Sequence, residues 1–174
     1  MSFRTDSYNS EEYEEDEYGR TATPMIHHWP PKRPQHARER PAWLRDLHSR
    51  QYALFDELYT VTDRGALIAS SILMRTIFDA ISGELGVNVD LPFSKKLEAL
   101  LGDGYIGQTE RDMLEVLVDA GSAAAHRGWC PEVSQLHTLM TILEGFAERV
   151  LLVNQKAKAI RPNIPSRQRK AADS

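Results

Sequence analysis

Between Pro41 and Asn154 apolar residues recur at intervals of three, four and seven, in five runs separated by glycine, proline and asparagine. That spacing puts the apolar side chains on one stripe of an α-helix, and no run alternates convincingly with the period of two that marks a strand. A stretch of roughly 110 residues buries nearly two-thirds of its unfolded surface, enough for one core. The expected fold is therefore all-α: a compact antiparallel bundle of about five helices, since the later loops are short.

The runs are read as follows. AWLRDLHSRQYALFDELYTV carries Trp43, Leu47, Leu54, Leu58 and Val61 on one face. TDRGALIASSILMRTIFDAISGEL opens on a Thr62/Asp63 cap candidate. Its apolar Leu67, Ile68, Ile72, Ile77, Ile81 and Leu85 wrap widely, as in a central helix, and Gly86 stops it. FSKKLEALLGDG is a short helix ending at Gly102 and Gly104. YIGQTERDMLEVLVDAGSAAAHRG starts near a Thr109/Asp112 capping arrangement. It buries Met113, Leu114, Leu117 and Val118, and Gly128 offers a left-handed stop. Pro131 marks the first turn of the fifth helix, with Val133 to Leu151 at helical period.

The flanks differ from this body. Residues 1–40 form an acidic, proline-rich arm expected to be disordered: EEYEEDE at 11–17 has six acids and no base. The Trp29-Pro30-Pro31 piece is a candidate strap against the domain. Residues 155–174 form a basic tail, with Lys156, Lys158, Arg161, Arg167, Arg169 and Lys170 against Asp173, and are likewise expected to be disordered. Residues 41–155 hold nine Lys and Arg against sixteen Asp and Glu, a net of −7. Such a body is a poor general surface for nucleic acid, so the charge does not favour RNA as a partner.

Cys130 is the only cysteine of the 174 residues, which excludes an intramolecular disulfide and a multi-cysteine zinc site. It reads as a half-buried structural thiol. A reducing, cytoplasmic compartment fits best. With no signal peptide and no run of eighteen apolar residues, no membrane association is expected. His27, His28, His36 and His48 lack a regular set of companion ligands, and GDGYIG lacks the Lys-Ser/Thr of a phosphate loop, so no metal and no cofactor are expected.

Two places interrupt the pattern of apolar core and polar surface. In GSAAAHRGW, residues 121–129, small residues leave one helix flank nearly featureless, so another helix can approach closely. His126 and Arg127 follow at the helix end, where cations suit the macrodipole. Arg75 and Asp79 stand four apart on the central helix, close enough to pair. They form either an exposed surface pair or, with His126, one polar network between helices. Ser122 and Trp129 would belong to that network.

These segments together carry a resemblance. ILMRTIFDAI, then FSKKLEALLGDGYI, then GSAAAHRGW make the stretch from Ile68 to His126 resemble the HEPN-like bacterial domain of unknown function 4145. Arg75 and Asp79 match its R-x-x-x-acidic feature, and Gly121 and His126 match its G-N-x-A-A-H feature. The resemblance implies an all-α bundle, often dimeric, in prokaryotic proteins of defence or toxin–antitoxin settings. Catalytic HEPN members are metal-independent ribonucleases whose Arg stabilises phosphate charge upstream of a proton-moving His. Here the positions permitted to that Arg hold Asp119, Ala120 and Gly121, and Ser122 replaces the family Asn.

The sequence thus points to a non-catalytic helical interaction module, expected as a homodimer, with its tails reaching protein partners. The alternative is a divergent metal-independent endoribonuclease, or an RNA-binding domain, centred on His126 and Arg127 with Arg75 on phosphate. Whether the chain is an enzyme stays open at this level, with the balance against it.

Overall fold

The computed structural model describes residues 37–164. A 3₁₀ turn, Ala42–Asp46, leads into α1 (Ser49–Asp63), α2 (Leu67–Glu84), α3 (Phe93–Gly102), α4 (Gln108–Arg127) and α5 (Val133–Glu148). A π-helical turn, Arg149–Val153, joins α5 to α6 (Asn154–Ile160) with helical backbone at both joints, so the last three elements make one rod. Five rods result, and the described residues contain no strand.

Side-chain pairs fix the directions. Gln51 of α1 meets Glu84 of α2, and Thr62 of α1 meets Ser70 of α2, so these helices run antiparallel. Tyr59 and Thr62 of α1 meet Glu144 and Met140 of α5 in reverse order, again antiparallel. Phe55, Leu58, Met74, Ile77, Phe78, Leu114, Leu117, Leu136, Leu143 and Phe146 interlock in a single core. Phe78 packs on Phe146 with ring centroids 5.7 Å apart. At ~0.8 kcal/mol per buried methylene, this interior is the main force holding the rods together.

The helix ends depart from the sequence reading. The first run is two elements: Leu47 is extended (φ −75°, ψ 152°), and α1 restarts in a reciprocal box between His48 and Gln51. Thr62 and Asp63 do not cap α2. They close α1, and the Thr62 hydroxyl is fully buried within 2.9 Å of the Ser70 hydroxyl. Gly107, not Thr109, precedes α4, and Asp112 accepts instead from Gln108 and Arg111. Pro131 stands one residue ahead of the Glu132 cap of α5. The helical rod continues past Asn154 to Ile160, because Gln155 to Ala159 are good helix formers with no breaker among them. The expected arm to residue 36, with Trp29 and three of its histidines, and the tail from 165 lie outside the described residues.

Burial also differs at four positions. Ile68, Ile72 and Met113, expected inside, are 39%, 37% and 42% exposed, and Cys130 is exposed instead of half-buried. No helix among the described residues is long and apolar enough to cross a membrane, and they contain no group of side chains able to hold a metal ion.

Candidate functional site

The small-residue block closes α4. Gly128 adopts φ 64°, and the Trp129 amide donates to the Ala123 carbonyl at 3.2 Å, which ends the helix in the left-handed turn that glycine permits without strain. Around this stretch the helix has two unlike faces.

The inner face meets α2. A Cβ on Gly121 would lie 2.6 Å from the Arg75 Cβ and 2.8 Å from the Ser71 carbonyl oxygen. Only glycine allows this crossing, so part of the small run serves packing within the protomer. Arg75 then turns its guanidinium over the Phe93 ring of α3, 4.2 Å from the centroid. Its Nε is buried and has no hydrogen-bond partner.

Asp79 does not pair with Arg75. It binds Lys96 of α3, whose side chain is 3% exposed and whose ammonium lies 5.1 Å from the same Phe93 ring. A buried ammonium must find a counter-charge, and it outcompetes the half-buried guanidinium one turn away. Lys96 is the residue the sequence reading missed, because its surroundings depend on how α3 lands on α2.

The outer face is open. His126 lies about 140° around the helix from Gly121, is exposed, and is not sealed beneath Trp129. The expected network of Arg75, Asp79 and His126 does not form: no hydrogen bond or ion pair among the described residues joins them. Arg127 is exposed beside His126, and Ser122 is half-buried. Val116, Asp119, Ala120, Ala123, Arg127 and Trp129 line a shallow groove of about 570 Å³ along this face. Val116 is 58% exposed there, and Met113 continues the apolar strip one turn back.

A second polar cluster ties the chain ahead of α1 to the bundle. Arg38 binds Glu144 at 2.6 Å, the His137 carbonyl at 2.9 Å and the Thr141 hydroxyl at 3.0 Å. Buried Tyr59 donates its hydroxyl to the other Glu144 oxygen. Burial, followed by the bonded Glu144 carboxylate, pushes the Tyr59 phenol far above its ordinary range. Arg40 covers the Tyr59 ring at 5.7 Å. The Arg38 guanidinium, the Glu144 carboxylate and the Tyr59 hydroxyl are thus engaged with one another and with α5.

A family model described as domain of unknown function (DUF4145) matches residues 56–163, more than half of the chain. The chain belongs to the DUF4145 family. No curated protein and no solved structure matches it. The DUF4145 segment opens inside α1 and closes just after α6, so it includes both faces of α4, Arg75, Asp79 and Lys96. Arg38, Trp43 and Phe55, which complete the core and its polar clamp, lie ahead of it.

Proposed function

We propose that this DUF4145 chain is a non-catalytic helical interaction module that forms a homodimer through the outer face of α4. The groove beside Ala123 carries the reading. Small Ala120 and Ala123 let a second helix approach, while Val116, Met113 and Trp129 supply apolar surface to cover. Asp119 and Arg127 stand four residues before and after Ala123. A twofold antiparallel crossing centred on Ala123 therefore sets each Asp119 against Arg127 of the partner subunit. A twofold interface needs such self-complementarity.

One helix crossing buries less than the ~800 Å² per partner of a standard interface. The expected dimer is accordingly of micromolar affinity. Light scattering over a concentration series tests it: mass should double as concentration rises, and Ala123→Trp should hold the protein monomeric with its helical signal intact. A wild-type monomer at about 100 µM removes the proposal.

The HEPN-like relationship, a cytoplasmic location and a prokaryotic defence or toxin–antitoxin setting belong to the same proposal. Their support is the order of the three family-like segments and the single thiol. A ribonuclease reading draws less support from the geometry. His126 points away from the Arg75 side of α4, and Arg127, its neighbour, diverges from it by about 100°.

A further inference from the structure

The geometry points to a binding site for one singly charged oxyanion, a carboxylate or a phosphodiester, on Arg75 between α2, α3 and α4. This inference stands apart from the dimer, which uses the opposite face of α4.

Three observations carry it. First, the Arg75 guanidinium has no carboxylate partner among the described residues. Asp79, its natural partner at one helical turn, is committed to Lys96, and the Arg75 Nε–H is buried with nothing to donate to. Buried donors in folded proteins are almost always satisfied, and an exception is a place where a water or an ion can be taken up. Second, the guanidinium is held flat. Phe93 lies under it at 4.2 Å, and its stem runs so close to Gly121 that an added Cβ there would lie 2.6 Å from Cβ and 3.3 Å from Cδ. A fixed planar fork is the geometry that binds a carboxylate or phosphate through two parallel N–H···O bonds. Third, the local charge is uneven. Arg75 and Lys96 share the Phe93 ring, and Asp79 is the one acid paired into the group. The cluster is left with a charge of about +1, which one monoanion neutralises and a phosphate dianion oversteps.

The test uses the full chain, labelled with nitrogen-15, at constant ionic strength set by chloride. Acetate and dimethyl phosphate serve as the two monoanion probes, and inorganic phosphate as the dianion. The Arg75 Nε–H resonance, assigned by its loss in Arg75→Lys, should shift saturably with acetate or dimethyl phosphate. The thermal midpoint should rise by about 5 °C at tenfold excess over Kd. Whichever probe binds tighter identifies the source chemistry, and inorganic phosphate should bind no tighter than that probe.

Arg75→Gln should abolish both responses. Arg75→Lys keeps the stem and the charge without the fork, so it should weaken binding at least tenfold and serves if the glutamine variant does not fold. Arg50→Gln, at an exposed position of α1, should leave both responses unchanged. The site is refuted if neither monoanion produces a saturable shift, if Arg75→Lys binds as tightly as wild type, or if the folded Arg75→Gln protein responds as wild type does.

Discussion

Gly121 and Arg75 are in such close contact that a single added methyl group on the glycine would stand 2.6 Å from the arginine Cβ. The crossing of α2 and α4, and with it the pose of Arg75 over Phe93, depends on that missing side chain.

Gly121→Ala should therefore destabilise the protein even though alanine favours helices by about 1 kcal/mol over glycine. The Ser71 carbonyl, 2.8 Å from the new atom, is backbone and cannot swing aside. Overpacking of this kind costs about 1–3 kcal/mol, and a net loss of roughly 1–2 kcal/mol should appear in urea unfolding. A gain in stability would mean that the helices separate freely.

The Arg38 clamp offers a double-variant test. Arg38→Ala leaves the Glu144 carboxylate, only 11% exposed, with Tyr59 alone. Removing one partner of a nearly buried pair is costly, here about 2 kcal/mol after allowing for partial solvent access. Arg38→Ala combined with Glu144→Gln should be less harmful than Arg38→Ala by itself, because no uncompensated charge remains. Additive losses in the same unfolding assay would contradict this account.

Alkaline pH should weaken the fold through Tyr59. Its phenol stays protonated inside, while in the unfolded chain it ionises near the ordinary value of about 10. A raised native value means that this contribution is intact below pH ~10 and is lost as pH climbs beyond it, by up to ~1.4 kcal/mol per unit. Tyr59→Phe should flatten the slope between pH 9 and 11 relative to wild type. Equal slopes in the two proteins would assign the loss to other groups.

For the dimer, Asp119→Arg and Arg127→Asp should each reduce self-association, since each variant confronts like charges twice across a twofold axis. Mixing the two variants restores both oppositely charged pairs, and sedimentation should find a heterodimer. With exposed pairs contributing about 0.2–1 kcal/mol each, rescue should amount to several-fold in Kd. Failure of the mixture to associate would exclude this register.

RNA incubated without metal should stay intact with wild type and with His126→Ala alike, both remaining folded. Cleavage by wild type that disappears in the variant would replace the interaction module with an enzyme.

Much of this architecture could be read before any coordinates. The five apolar runs became five rods, and Gly128 became the left-handed stop, because both signals are local. Thr62 shows where local reading fails. Its hydroxyl, a good cap on paper, is drawn into the core by Ser70, a partner eight residues away. Asp79 fails in a similar way. The rule of four paired it with Arg75, while the fold brought a more deeply buried cation from α3. Ile68 and Ile72 looked central because hydrophobicity alone does not reveal which side of a helix lacks a neighbour. His126 was correctly placed at a helix end, but its azimuth depends on which residue of α4 touches α2, and only Gly121 settles that.

The π turn at Arg149–Val153 has one more consequence. A wider coil there accommodates one extra residue, so everything downstream is rotated relative to a regular continuation of α5. Removing a single residue from the turn would let ordinary coiling resume with Lys156 still facing Asp46, which it now reaches at 2.9 Å, whereas ordinary coiling at the present length would turn it about 100° away. The extra residue in this coil is thus an indexing element: it keeps Lys156 in line with Asp46.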